Sequence, residues 1–182
     1  MTPIEINGQT VSDVLVNGES AGDVTVNGDS VFSAIPDSVI TRDDDNDSFN
    51  PGGDDVLFGV EVTTKSEWPE IQFEISSQNQ DFTRAAICDS SGVIINEKDI
   101  SNLNAGDEFK IEEELSEDTT YIFVIGAETN DDLIIGRLEE ESTNFPYTTD
   151  DIDANNGVFG DENDFTSADH FYGFKRIGNL GL

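Results

Sequence analysis

Apolar and polar residues alternate along most of this chain, and they do so first in a strict repeat. Ile4-Glu5-Ile6-Asn7-Gly8, Val14-Leu15-Val16-Asn17-Gly18 and Val24-Thr25-Val26-Asn27-Gly28 share one register, and a small or apolar residue follows each Asn-Gly at Val11, Ala21 and Val31. An apolar-x-apolar triplet suits a half-buried strand, and Asn-Gly is the pair best able to take the positive φ angles of a tight hairpin turn. A single ribbon of this length cannot bury its own apolar face. Tandem units of this kind need stacking on one another or on a neighbouring surface. Residues 1–34 therefore read as an assembly module whose contact face is Ile4, Ile6, Val14, Val16, Val24 and Val26; the alternative is a plain β-meander opening a larger domain.

Ile35-Pro36-Asp37 breaks the repeat, residues 38–41 suit a short bridging strand, and residues 42–55 are rich in Asp, Asn, Pro and Gly. Residues 35–55 thus read as an acidic linker and loop. From Val56 onward the alternation returns: Phe58, Val60 and Val62, then Ile71, Phe73 and Ile75, place one face in a core and the other in water. Further strands are predicted at 82–88, 93–96, 108–112, 120–125 and 133–138, with turn residues between them. Tyr121-Ile122-Phe123-Val124-Ile125 is apolar throughout, as suits a central strand covered on both faces. The pattern loosens after Ser142 and closes with a strand over 171–177. Short strands at this spacing, without an amphipathic helix, predict an all-β chain: an antiparallel β-sandwich or jelly-roll-like domain over 56–182, preceded by the small β-repeat module.

Composition changes the picture most through charge. Forty Asp and Glu stand against 8 Lys and Arg, a formal net charge of -32. A compact chain of this mass has a surface on the order of 8600 Å², so one uncompensated negative charge sits on about every 270 Å², a spacing of the order of the Debye length at 0.1 M salt and well beyond the one reached at 1 M. The balance reads as adaptation to molar salt, and it argues against nucleic acid as a partner, because a phosphate backbone calls for Lys and Arg. The single cysteine, Cys88, reads as a small core residue. No apolar run is long enough to cross a membrane as a helix, and Met1-Thr2-Pro3 does not open a signal peptide, so the expectation is a soluble product made inside a cell.

Two acidic stretches have the spacing of calcium loops. Asp151, Asp153 and Asn155, with Glu162 at the twelfth place, supply the donor pattern for Ca²⁺ or Mg²⁺, although Asn156 stands where such a loop has Gly. Asp43, Asp45, Asp47 and Asp54 repeat the pattern more loosely. In a chain this acidic such spacing arises easily, and both stretches read first as solvated loops and second as cation sites. Trp68, Phe145, Tyr147 and Tyr172 are candidates for an aromatic sugar platform or for core and subunit contacts. Enzymatic machinery is not expected: His170 is the one histidine, and neither a Gly-x-Ser-x-Gly elbow nor a phosphate-cradling loop occurs.

The acidic run Asp43 to Asp47, the segment around Ser66-Glu67-Trp68-Pro69, the turn Asp89-Ser90-Ser91-Gly92, the stretch from Asp99 to Asp107, and Phe145-Pro146-Tyr147 with Tyr172-Gly173-Phe174 give residues 38–180 a pattern. It resembles modules in virion surface and tail-fibre proteins of haloarchaeal tailed viruses. The Asn-Gly decapeptides separately resemble short repeats in tailed-virus structural proteins, where they lie at the end that joins the particle. The resemblance implies a non-enzymatic turret, spike or tail-fibre component located in the virion, homo-oligomeric, bound to other virion proteins and contacting host surface glycans, without membrane insertion. The alternative is a carbohydrate-binding module of a haloarchaeal cell-surface or extracellular protein.

Overall fold

The computed structural model describes residues 5–6, 9–10, 15–16, 19–20, 23–26, 29–33, 39–41, 47–51, 56–127, 133–138 and 145–178. Every regular element among them is a β-strand, and every pairing is antiparallel. The chain divides into two compact units, Met1–Pro36 and Asp37–Leu182.

The first unit is a row of hairpins. β1 (Glu5–Ile6) pairs with β2 (Gln9–Thr10), β3 (Leu15–Val16) with β4 (Glu19–Ser20), and β5 (Asp23–Val26) with β6 (Asp29–Ser33). Ile6 faces Gln9, Val16 faces Glu19 and Val26 faces Asp29, so an Asn-Gly pair spans the two positions between strands each time. Two-residue connections of this composition favour the turn twist that matches the strands. Of the predicted contact face, Ile6, Val16, Val24 and Val26 lie in these strands, whereas Ile4 and Val14 lie outside the described residues.

The second unit is a β-sandwich. Its strands are β7 (Val39–Thr41), β8 (Asp47–Phe49), β9 (Leu57–Thr64), β10 (Ile71–Ile75), β11 (Arg84–Asp89), β12 (Ile94–Asp99), β13 (Glu108–Ile111), β14 (Thr120–Gly126), β15 (Ile135–Leu138), β16 (Tyr147–Thr148), β17 (Ile152–Asp161), β18 (Asp164–Ala168), β19 (Phe171–Tyr172) and β20 (Phe174–Gly178). The largest sheet runs β12-β11-β14-β9-β17-β16, with β18 also paired to β17; a second runs β13-β10-β20-β7, and a third β19-β15-β8. The expected linker over 35–55 is corrected here. β7 forms the edge of the second sheet and β8 pairs with β15, so this segment contributes strands to the sandwich.

Alternation sets the layers. Val60, Val62, Ile87, Phe123 and Ile125 of the largest sheet face Ile71, Phe73, Ile75 and Ile177 of the second, all fully buried in one core. Phe73 and Phe123 meet edge-on across the two sheets with centroids 5.4 Å apart. Such a contact contributes about 0.5–1.5 kcal/mol beyond burial. The opposite face of the largest sheet has a smaller core of Leu57, Ala86, Cys88, Ile122, Val124 and Val158, with Ile94 and Phe165 packed against it. This is why β14 is apolar on both sides: both faces are covered.

Two glycines are required by close approach or by backbone. A Cβ on Gly59 would overlap the carbonyl of Phe123 on the neighbouring β14. Gly173, at φ 72°, separates β19 from β20 and turns the predicted strand over 171–177 into two strands that belong to different sheets.

Candidate functional site

The stretch predicted as a cation loop is the strand β17. Asp153 lies in the ladder against β9, Asp151 stands just before the strand, Asn155 is the residue at its bulge and Glu162 lies just past its far end, so roughly 35 Å of extended chain separates Asp151 from Glu162. A calcium site gathers its oxygens at about 2.3–2.6 Å from one ion, which an extended strand cannot do with this set. Each group has another partner. Asp151 Oδ1 accepts from Ser66 Oγ at 3.2 Å, Asp153 pairs with Lys65 Nζ at 2.7 Å, Asn155 donates to Thr63 Oγ1 at 2.9 Å, and Glu162 pairs with Arg84 at 3.0 Å. Of the looser set, Asp47 opens β8, while Asp43, Asp45 and Asp54 lie outside the described residues. Among the described residues no group of three or more His, Cys, Asp or Glu is arranged to hold a metal ion.

The four aromatic candidates each have packing partners within the described fold. Trp68 is buried, bridges to Leu115 by backbone hydrogen bonds of 3.0 and 2.7 Å, and donates from its indole to Ser66 Oγ at 3.2 Å. Tyr172 is buried among Phe49 and Phe58. Phe145 and Tyr147 form an edge-on pair at 6.0 Å beside a cis Phe145-Pro146 bond and pack against the main core. Trp68 and Tyr172 are thus buried in the main core, and the partly buried Phe145 and Tyr147 pack against it.

The scarce cations are drawn into the fold. Lys65 pairs with Asp153, Arg84 with Glu162 and Glu97, Lys110 with Glu70, and Lys175 and Arg176 both with Glu74, while Lys98 donates to the carbonyl of Lys110 at 2.8 Å. Glu70 holds the Lys110 ammonium above the usual lysine range by hydrogen bond and charge. Arg84 is the buried member of this group. It meets Glu162 at the tip of the β17–β18 hairpin, whose Asn163 N–H donates to the Gly92 carbonyl at 3.2 Å, so charge and backbone together hold the tip to β11 and the β11–β12 turn.

Burial, reinforced by the Glu162 and Asp89 charges, pushes the Cys88 thiol up to about 12, which keeps it protonated and unreactive at neutral pH. His170 stacks on Tyr172 at 5.8 Å.

A groove of about 460 Å³ that sequence reading did not single out lies between the β10–β11 and β12–β13 connections. The residues concerned, among them Asn79, Asp81, Phe82, Leu103 and Asn104, come from loops, where no periodicity marks which side chains will converge. In comparison with known proteins, no family model, no curated protein and no solved structure matches this chain.

Proposed function

We propose that this chain is a non-enzymatic structural component of a haloarchaeal virus particle, of capsid turret, spike or tail-fibre type, whose N-terminal repeat docks to the virion while the sandwich is displayed and contacts host glycans. The observation that carries the reading is the row of three hairpins, each a sheet only two strands wide among the described residues. A two-stranded ribbon is marginal in water on its own. Strands of a second copy or of another virion protein supply both cover and hydrogen-bonding partners, and repetition at a fixed period suits a symmetric arrangement. The pairing of the described cations within the sandwich supports the display half of the reading. It leaves an acidic outer surface suited to brine.

Deleting residues 1–34 tests this. The expected product is a folded sandwich, monomeric by light scattering in molar salt and absent from purified particles; a truncated chain that still assembles would move the contact surface into the sandwich and defeat the proposal. Thermal unfolding of the full chain from about 0.2 M to about 3 M KCl is expected to show a steep rise in melting temperature, and a flat profile removes the halophilic part. The polar groove favours a second reading, a carbohydrate-binding module of a haloarchaeal cell-surface or extracellular protein. Mass spectrometry of purified virions separates the two.

A further inference from the structure

The groove between the β10–β11 and β12–β13 connections has walls that are fixed before any ligand arrives. On one side the buried Asn79 amide donates to the Gly173 carbonyl at 2.9 Å and accepts from the Gly136 N–H at 2.8 Å, and Gln80 exchanges backbone hydrogen bonds of 2.9 and 3.0 Å with Ile134. On the other, Asp99 Oδ1 accepts from the Ser101 N–H and hydroxyl at 2.9 and 2.6 Å, and Asp107 Oδ2 accepts from the Asn104 N–H at 2.8 Å. The Ile100 N–H donates to the Thr83 carbonyl at 2.9 Å and ties the two walls together. Side-chain hydrogen bonds that lock surface loops of this length are a form of preorganisation, which reduces the ordering cost of binding.

We infer that this groove is a binding site for a neutral sugar, hydrogen-bonded by Asp81, Gln80 and Asn104 over an apolar floor of Phe82 and Leu103. Phe82 belongs to the main core and Leu103 packs against it, so the floor is continuous with the body of the sandwich. Three features select the ligand. A volume of about 460 Å³ falls within the roughly 300–1,000 Å³ of small-molecule sites and far exceeds what one cation fills. Among the described residues of the lining Asp81 is the single charged one, and on a chain of net charge -32 it repels anions. The side-chain amides of Gln80 and Asn104 both donate and accept, Asn104 already placing one N–H on Asp107 Oδ2 at 3.2 Å, and a carboxylate, with up to about four acceptor positions, keeps room beside an existing partner, a combination that matches vicinal hydroxyls. An amine attracted by Asp81 alone loses its advantage in molar salt, where simple charge attraction is screened.

This inference rests on the glycan-contact part of the proposed function and is independent of the virion. It is tested with the full chain in molar KCl by saturation-transfer NMR, using glucose, galactose, mannose and N-acetylglucosamine, with glucuronate and lysine as charged controls. The expected result is saturable transfer to at least one neutral sugar, at least about tenfold weaker for glucuronate, and at least about tenfold weaker in Asp81→Ala and in Ala105→Trp, which fills the groove. Ala105 is exposed, so the second variant is expected to keep the melting temperature of the parent. Transfer to none of the sugars, transfer to lysine only, or undiminished binding by folded Ala105→Trp overturns the site. Particle incorporation, scored separately, keeps the two proposals apart: sugar binding without incorporation defeats the virion role and leaves the groove standing, and the reverse result does the opposite.

Discussion

The hairpin row and the sandwich are built from the same element by opposite means. In the row, each strand pairs with the one two residues away, and the turn residues set the register. In the sandwich, β9 pairs with β17 about a hundred positions further along the chain, a register that sets Val60 opposite Gly157 and stacks Phe58 on Phe159. The first kind of sheet is specified locally. The second is specified by what it packs against, and it supplies its own cover.

Removing core volume should break the two apart most sharply. Phe123→Ala leaves a cavity where Phe73 and Phe123 meet and is expected to cost about 3–5 kcal/mol, lowering the denaturant midpoint of the sandwich. Hydrogen exchange in β1 to β6 is expected to stay as in the parent; simultaneous loss of protection in the hairpins would show that the two units unfold as one. The converse change is smaller. Gly18→Ala opposes the positive φ expected of an Asn-Gly turn and should cost about 1 kcal/mol, seen as lost amide protection across Leu15 to Ser20 with the melting temperature of the sandwich unmoved. A shift in that melting temperature would show that the turn matters beyond its own hairpin.

The smallest effect concerns a turn as local as Asn-Gly but placed within the sandwich. Hydrogen bonds from the Ser101 hydroxyl and N–H hold the Asp99 carboxyl below the usual carboxylate range. A lowered folded-state pKa means that this contribution to stability is complete above the ordinary value of about 3.9 and is lost as pH falls through the depressed value. Asp99→Asn is therefore expected to narrow the loss of stability on acidification relative to the parent, measured as the difference in unfolding midpoint between neutral and acidic buffer. Parallel curves for the two proteins would leave the Asp99 turn without a share in the pH dependence.

The same contrast explains what the sequence disclosed. The hairpins, β9, β10 and β14 carry their alternation openly, and their turns carry Gly, Asn and Asp. β17 does not, because a bulge between Ala154 and Asn156 shifts its phase: Ile152 and Ala154 face the main core before it, and Gly157 and Phe159 pair with core residues after it. Read without the shift, Asp151, Asp153 and Asn155 resemble ligands, and the neighbours that engage them, Lys65, Ser66 and Thr63, are too far away in sequence to be seen. β8 was hidden by its acidic surroundings, since its pairing with β15 is decided by a partner some 85–90 positions later. The groove was hidden because its lining comes from two loops, 79–83 and 101–105, on either side of the β11–β12 hairpin, where no periodicity marks the side chains that converge.

The position of β20 has a consequence for synthesis. This strand, Phe174–Gly178, lies between β10 and β7 in the second sheet, so two earlier strands wait for a partner that is translated more than a hundred residues after β7. At about 5–20 residues per second, the ribosome leaves Phe73 and Ile75 without that neighbour for several seconds, while each hairpin of the N-terminal row has all its strand residues as soon as it emerges. The nascent chain therefore displays its repeats before its sandwich can close, and a stall upstream of Phe174 would hold it with an open sheet edge on which a second chain could pair.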